Sequence, residues 1–188
     1  RSGNGNDNIY IGNWLTADDL IDGGSGFDTL YFTDGTGGYT DDLNQVTNVE
    51  RIVLGDSHGP SQFTALNSLV AAGASLTLDA TDLLYYAGGS GGTGAYSSDL
   101  TFNGSAELDG SFVIYSGQGD DALTGGHGDD LFYGNDGEDT LSGGNGSDTF
   151  IVTAGADTIS DLYAGTGGAD ADVLQVSAGA SVVADDVA

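Results

Sequence analysis

Cysteine and methionine are absent from this 188-residue chain, and proline and tryptophan occur once each. Without cysteine there can be no disulfide and no thiolate metal site. Arg1 and Arg51 are the only basic residues apart from two histidines, so the cationic surface that nucleic acid and anionic membranes require is missing. No apolar run approaches the length of a membrane span, and membrane insertion is not expected. No signal peptide is visible. The chain starts inside a repeat and without an initiator Met, as expected of an excised or processed piece: one domain, or one segment of a longer repeat protein.

Acid and glycine are abundant instead. The 29 acidic residues divide into 26 Asp and only three Glu (Glu50, Glu107, Glu138), the net charge is −27, and 34 residues are Gly. A solvating acidic tail would use Glu freely, whereas a tight turn that aims a carboxylate at a fixed point favours the shorter Asp. So much uncompensated charge strains a compact state unless counter-charges bind, and divalent cations are the obvious ones.

The Asp and Gly residues recur in phase. Between Ser116 and Ser160 the chain repeats every nine residues: SGQGDDALT, GGHGDDLFY, GNDGEDTLS, GGNGSDTFI and VTAGADTIS. Each window holds Gly at its fourth place, Asp at its sixth and a large apolar residue at its eighth. Two more copies, Ser2–Tyr10 and Gly23–Tyr31, lie near the start. Between them Trp14–Asp22 keeps Asp19 in place after three extra residues, Ile11 to Asn13. Near the end Gly167–Gln175 restores the frame, with Asp172 sixth and Asp170 where Gly is usual.

A short fixed period implies a solenoid, in which each unit buries its apolar residue only against its neighbours. In GGNGSDTFI the first six residues read as a turn and TFI as a minimal strand, so Phe150 points away from Thr149 and Ile151. Nine residues then make half a coil, and each window stacks on the window eighteen residues away. That predicts two apolar ladders, Leu123–Leu141–Ile159 and Phe132–Phe150, facing each other. It also brings Asp121 near Asp139, Asp130 near Asp148 and Asp139 near Asp157. Carboxylates so close repel without a cation between them. Calcium takes six to eight hard oxygens, which paired Asp side chains and turn carbonyls supply, whereas magnesium demands stricter octahedral geometry.

The pattern G-G-x-G-x-D-x-U-x resembles the RTX (repeats-in-toxin) calcium-binding family. The resemblance implies a right-handed parallel β-roll or β-helix with several Ca2+ ions held between stacked turns. Its ligands would be the sixth-place carboxylates Asp7, Asp19, Asp28, Asp121, Asp130, Asp139, Asp148, Asp157 and Asp172. The glycine turns would add main-chain carbonyls, at Gly3, Gly5, Gly24, Gly26, Gly117, Gly119, Gly126, Gly128, Gly137, Gly144 and Gly146. The resemblance further implies type I secretion, with folding in extracellular calcium. Val152–Ser160 departs from it by lacking the paired glycines.

Four stretches follow: residues 1–31 with the first repeats, 32–115 without the period, 116–160 as the regular block, and 161–188 as a looser ending. In 32–115, Arg51–Leu54, Ser75–Leu78, Leu100–Phe102 and Phe112–Tyr115 read as strands. They are expected to be longer coils of the same solenoid, with an inserted sandwich as the alternative. A short helix is expected at Gln62–Ala72, with Gly73 as its cap, and Tyr86–Ser98 reads as a glycine-serine loop. Leu131, Tyr133 and Ile151 face outward and call for a cover, either Val173–Val176 or a neighbouring molecule.

No enzyme is expected. Gly88–Gly92 (GGSGG) matches G-x-S-x-G only formally, because a nucleophile elbow needs a strand before it and a helix after it. His58 and His127 belong to no metal motif. The expected function is a calcium-binding structural solenoid of a secreted or cell-surface protein (surface layer, adhesin or scaffold) that orders when calcium binds. Calcium is the expected partner, with a homo-oligomer, lattice or filament neighbour as a further candidate. The alternatives are the C-terminal folding module of a type I-secreted enzyme and a glycan- or ligand-binding solenoid.

Overall fold

A computed structural model describes residues 2–12, 19–32, 40–41, 43–55, 61–81, 84–86, 95–162 and 171–184. Among these residues every helix or strand is a β-strand. Short strands follow from the composition: β-branched and aromatic residues in runs of a few, punctuated by Gly, Asn and Asp.

Two long parallel sheets form the body. The first has eight strands in the order Asn8–Ile11, Thr29–Phe32, Arg51–Leu54, Ser75–Asp79, Ser111–Tyr115, Leu131–Asn135, Thr149–Val152 and Val173–Val176. The second has seven, from Thr40–Asp41 through Ser61–Thr64, Leu100–Asn103, Ala122–Thr124, Thr140–Ser142 and Ala156–Ile159 to Ser181–Ala184. From Thr29–Phe32 onward the chain crosses from one sheet to the other and back in each coil, so the fold is an all-β parallel solenoid.

The coil length within the regular block is the expected eighteen residues: Leu123 pairs with Leu141, Leu141 with Ile159, and Phe132 with Phe150. Elsewhere it stretches. Leu78 pairs with Ile114, thirty-six residues on, and Phe63 with Phe102, thirty-nine residues on. The middle of the chain therefore continues the same two sheets, and among the described residues no separate sandwich is inserted.

The two ladders meet in a complementary core. One unbroken row in the first sheet runs Leu30, Ile52, Leu78, Ile114, Phe132 and Phe150, every member fully buried. The facing row runs Phe63, Phe102, Leu123, Leu141 and Ile159. Each row changes character once, in opposite senses: aliphatic then aromatic, and aromatic then aliphatic. Phe132 and Phe150 stack at 5.3 Å and 9°. Alternating large and small side chains across a narrow interior is how near-crystalline packing is reached without voids.

Three expectations are corrected. Gln62–Ala72 is not a helix: Ser61–Thr64 is a strand with Ser61 and Phe63 inward, followed by turns that bury Leu69 and Val70. Phe63 gains more from the Phe102 ladder than from a lone helical face, and Leu66, which that face would bury, is 38% exposed. Gly73 still adopts the left-handed conformation expected of it (φ 71°), closing a turn instead of a helix; Pro60 lies outside the described residues. Second, Leu84–Tyr86 and Ala95–Ser97 pair antiparallel, so the ends of the glycine-serine stretch form a hairpin, while residues 87–94 lie outside the described residues. Third, Val173–Val176 does not cover Leu131, Tyr133 and Ile151; it pairs edge-on with Thr149–Val152 and lengthens the sheet.

That outer face partly shields itself. Tyr10, Tyr31, Val53, Asp79, Tyr115, Tyr133, Ile151 and Gln175 form one register row along it. Within the row Tyr10 stacks on Tyr31 at 4.8 Å, and Tyr115 on Tyr133 at 4.4 Å.

Candidate metal centres

With the exception of Asp19, each repeat turn delivers its sixth-place Asp to the same register position, at the start of the following strand. The residues there in the first sheet are Asp7, Asp28, Glu50, Leu76, Phe112, Asp130, Asp148 and Asp172. In the second sheet they are Ser61, Leu100, Asp121, Asp139, Asp157 and Val182. Asp28, Asp121, Asp130, Asp139, Asp148 and Asp157 are all buried, at most 2% exposed.

One oxygen of each carboxylate stitches the coils. The amide of Asp121 donates to Asp139 Oδ1 (2.9 Å), that of Asp130 to Asp148 Oδ1 (2.8 Å), and that of Asp139 to Asp157 Oδ1 (3.0 Å). The same bond links Asp7 to Asp28, Leu100 to Asp121, Phe112 to Asp130 and Asp148 to Asp172. A return bond runs from the fifth place: the amides of Glu138, Ser147 and Phe27 donate to Oδ1 of Asp120, Asp129 and Asn6, respectively. Neighbouring turns are thus clamped in both directions.

In five of these carboxylates the second oxygen is left over. Oδ2 of Asp7, Asp28, Asp121, Asp139 and Asp157 is buried without a hydrogen-bond partner. Burial pushes Asp121 up to about 7, against the hydrogen bond from the Leu100 amide, with Asp99 and Asp120 adding repulsion. Asp139 rises to about 8, again mainly through burial, with Asp121 and Asp157 adding repulsion. Asp130 rises less, to about 6, because the Gly126 and Phe112 amides offset its burial, and Asp157 is raised too. A buried carboxylate oxygen with no donor costs free energy that only a proton or a cation can recover.

Space is reserved beside the Oδ2 atoms of the columns. A Cβ on Gly143 would sit 2.0 Å from Asp148 Oδ2, one on Gly125 2.2 Å from Asp130 Oδ2, and one on Gly134 2.6 Å from Asp139 Oδ2. Turn carbonyls crowd the next turn similarly. A Cβ on Gly144 would meet Gly126 O at 2.2 Å, and one on Gly146 would meet Gly128 O at 2.3 Å, and both glycines have positive φ. Only glycine permits this stacking. Among the described residues no three His, Cys, Asp or Glu side chains converge on one point. Any ion here would therefore be held by paired carboxylates and main-chain oxygen rather than by a carboxylate cage.

A family model, described as the RTX calcium-binding nonapeptide repeat in four copies, matches residues 16–39, 113–141 and 142–161. These segments are RTX repeats. No curated protein and no solved structure matches the chain. The RTX geometry also extends beyond the matched segments, because Asp7 in Ser2–Tyr10 carries the same paired amide and the same leftover oxygen.

The RTX donor set fits calcium: hard oxygen only, with unsatisfied carboxylate oxygens beside main-chain carbonyls. Asp7, Asp28, Asp121, Asp139 and Asp157 would bind through Oδ2, and Asp130, Asp148 and Asp172 belong to the same columns. Calcium would supply the charge that cancels their mutual repulsion. Asp19 is exposed and stands outside the columns, since the strand after it, Ile21–Asp22, pairs in a small separate sheet with Val46–Thr47. Gly117, Gly119 and Gly137 line the turns of Asp121 and Asp139, Gly119 O lying 2.0 Å from a Cβ on Gly137. Gly3 and Gly5 underlie Gly24 and Gly26 in the same manner.

Three acidic residues outside the repeat pattern also act in the turns. Glu50 extends the first column, its Oε2 accepting the Asp28 amide at 2.7 Å. It directly precedes the strand Arg51–Leu54, as Asp28 precedes Thr29–Phe32, and that position was its only sequence signal. Glu107 is fully buried and accepts the amides of Leu108, Asp109 and Gly110 through Oε1 and that of Val70 through Oε2. Asp161 accepts the amides of Gly143 and Gly144 and the Ser142 hydroxyl.

Proposed function

We propose that this segment is a calcium-dependent structural solenoid of a secreted or cell-surface protein, and that it performs no catalysis. The observation that carries it is the set of five buried Oδ2 atoms that no protein group satisfies. Such atoms destabilise a metal-free fold and become ligands in a metal-loaded one. Each site that binds only the folded state stabilises it by about 1.4 kcal/mol per tenfold excess of calcium over Kd. Free calcium is abundant outside cells, where modules of this kind work with Kd of about 10⁻⁴–10⁻³ M. The acidic surface and the absence of cysteine are compatible with that setting.

Ser90 and His58 lie outside the described residues, and His127 sits in a turn, its amide bonded to Glu107 O. The proposal is tested by titrating calcium into the EGTA-treated chain while recording circular dichroism and light scattering. β-Signal that grows with calcium at constant scattering marks a folding switch, and scattering that grows with it marks assembly. Superimposable spectra in EGTA and calcium would refute the proposal.

A further inference from the structure

The outer face of the first sheet carries a groove of about 420 Å³ lined by Phe27, Arg51, Thr77, Asp79, Thr81 and Tyr115. Its volume lies in the range of small-molecule sites. Phe27, 51% exposed, and Tyr115, whose ring stacks on Tyr133, contribute its aromatic surfaces. Its charged pair is the Arg51–Asp79 ion pair, with Arg51 41% and Asp79 17% exposed at the side chain. Asp79 Oδ1 accepts both the amide and the hydroxyl of Thr81. Burial opposes ionisation of Asp79, but the bonds from Thr81 and Arg51 outweigh it and hold the carboxyl below its ordinary range.

We infer that this groove binds a neutral saccharide. Aromatic faces suit the C–H face of a pyranose ring. A guanidinium and a carboxylate side by side, flanked by two threonine hydroxyls, match vicinal hydroxyls that donate and accept at once. Charge narrows the choice. Arg51 is neutralised by Asp79, and the rest of the chain, at −27, repels an anionic sugar. A cationic ligand finds no free carboxylate in the groove, because both Asp79 oxygens are engaged, by Arg51 and Thr81. What remains is an uncharged ligand with one apolar face and dense hydroxyls. Tyr133, stacked on the far face of Tyr115, holds that ring in place at the end of the groove.

The test uses the full chain in calcium, with cellohexaose, maltohexaose and mannohexaose as neutral probes and trigalacturonate as the anionic one, read by saturation-transfer NMR and calorimetry. At least one neutral probe binds, and Phe27→Ala and Tyr115→Ala each weaken it about tenfold or more. Tyr10→Ala, far along the same row, leaves binding unchanged. If Tyr115→Ala does not fold, Phe27→Ala decides, because that ring is exposed and supports no core. No binding by the three neutral probes, indifference to Phe27→Ala, or equal binding of trigalacturonate overturns the assignment. The same samples show their own calcium transition, so failure here is distinguishable from failure of the structural reading.

Discussion

Asp121 and Asp139 are joined as backbone to side chain: the Asp121 amide donates to Asp139 Oδ1 at 2.9 Å, while Oδ2 of each residue is left buried and unbonded. The bond fixes the carboxylate, and the leftover oxygens give calcium its purchase. Structure and metal demand are thus built into one side chain.

Replacing that side chain separates the two roles. In Asp139→Asn the amide oxygen still accepts the Asp121 N–H, but the carboxyl that folding must protonate or neutralise is gone. In EGTA the variant is expected to be more stable than the parent, by about 1–3 kcal/mol, the usual cost of an unsatisfied buried group. In calcium it is expected to be less stable, with a transition shifted to higher calcium. Paired thermal melts in the two conditions check the sign reversal, and a variant weaker in both would contradict it.

The pH dependence has a definite sign. In the metal-free fold Asp130, Asp121 and Asp139 have carboxyls raised to about 6, 7 and 8. A carboxyl with a raised folded-state pKa contributes stability that is complete below its unfolded value, near 3.9, and is lost as pH rises through the folded value. In EGTA the melting temperature therefore falls between about pH 4 and pH 8. Calcium affinity rises over the same interval, since protons and calcium compete for these oxygens. A flat or rising melting curve in EGTA would exclude this assignment.

Glycine at the first place of the repeats that begin at Gly125, Gly134 and Gly143 is required for steric reasons. Gly143→Ala sets a methyl carbon 2.0 Å from Asp148 Oδ2, whereas Gly12→Ala meets nothing within 4 Å. The first is expected to cost about 1–3 kcal/mol or more in calcium, as overpacking does. The second is expected to change stability by less than about 0.5 kcal/mol. Chemical denaturation of both variants in calcium measures the difference.

Calcium dependence should be uneven along the chain. Both carboxylate columns are interrupted, the first by Leu76 and Phe112 and the second by Leu100, all fully buried apolar residues. Glu107, the buried acid of this region, is satisfied by four backbone amides. Hydrogen exchange in EGTA is expected to keep protection in Ser61–Thr64, Ser75–Asp79, Leu100–Asn103 and Ser111–Tyr115. Thr140–Ser142 and Thr149–Val152 lose it. Uniform exchange along the chain would show that the middle coils need the metal as well. This sharpens the expectation of a largely disordered calcium-free chain: the middle coils hold while the repeats do not.

The regular block was legible because its chemistry is local. Gly, Asp and the apolar residue each recur at a fixed place, so stacking at eighteen residues puts Asp121 on Asp139 and Phe132 on Phe150 without further information. The middle was less legible because its coils differ in length. Leu78 finds Ile114 and Phe63 finds Phe102 across connections that leave no periodic trace, and Phe63, Leu66, Leu69 and Val70 mimic a helical face by spacing alone. Glu50 and Glu107 were hidden for the same reason, since their partners are backbone amides brought in by the fold. The fifth-place stitches from Asp120 and Asp129 could have been found, as an acid or amide recurs there, but the place tolerates Phe27, Ser147 and Ala156 and so looked variable.

The opposite alternation of the two core rows has a consequence for length. Leu123 and Leu141 lie on one wall and Phe132 and Phe150 on the other. Removing residues 125–142 would splice Thr124 to Gly143 with Phe150 still on its own wall and Ile159 on the other. Removing 125–133 alone would send Leu141 and Phe150 to each other's walls. The protein can therefore be shortened or extended by whole coils but not by single repeats. Eighteen residues, rather than nine, is the heritable cassette from which such a rod can be lengthened.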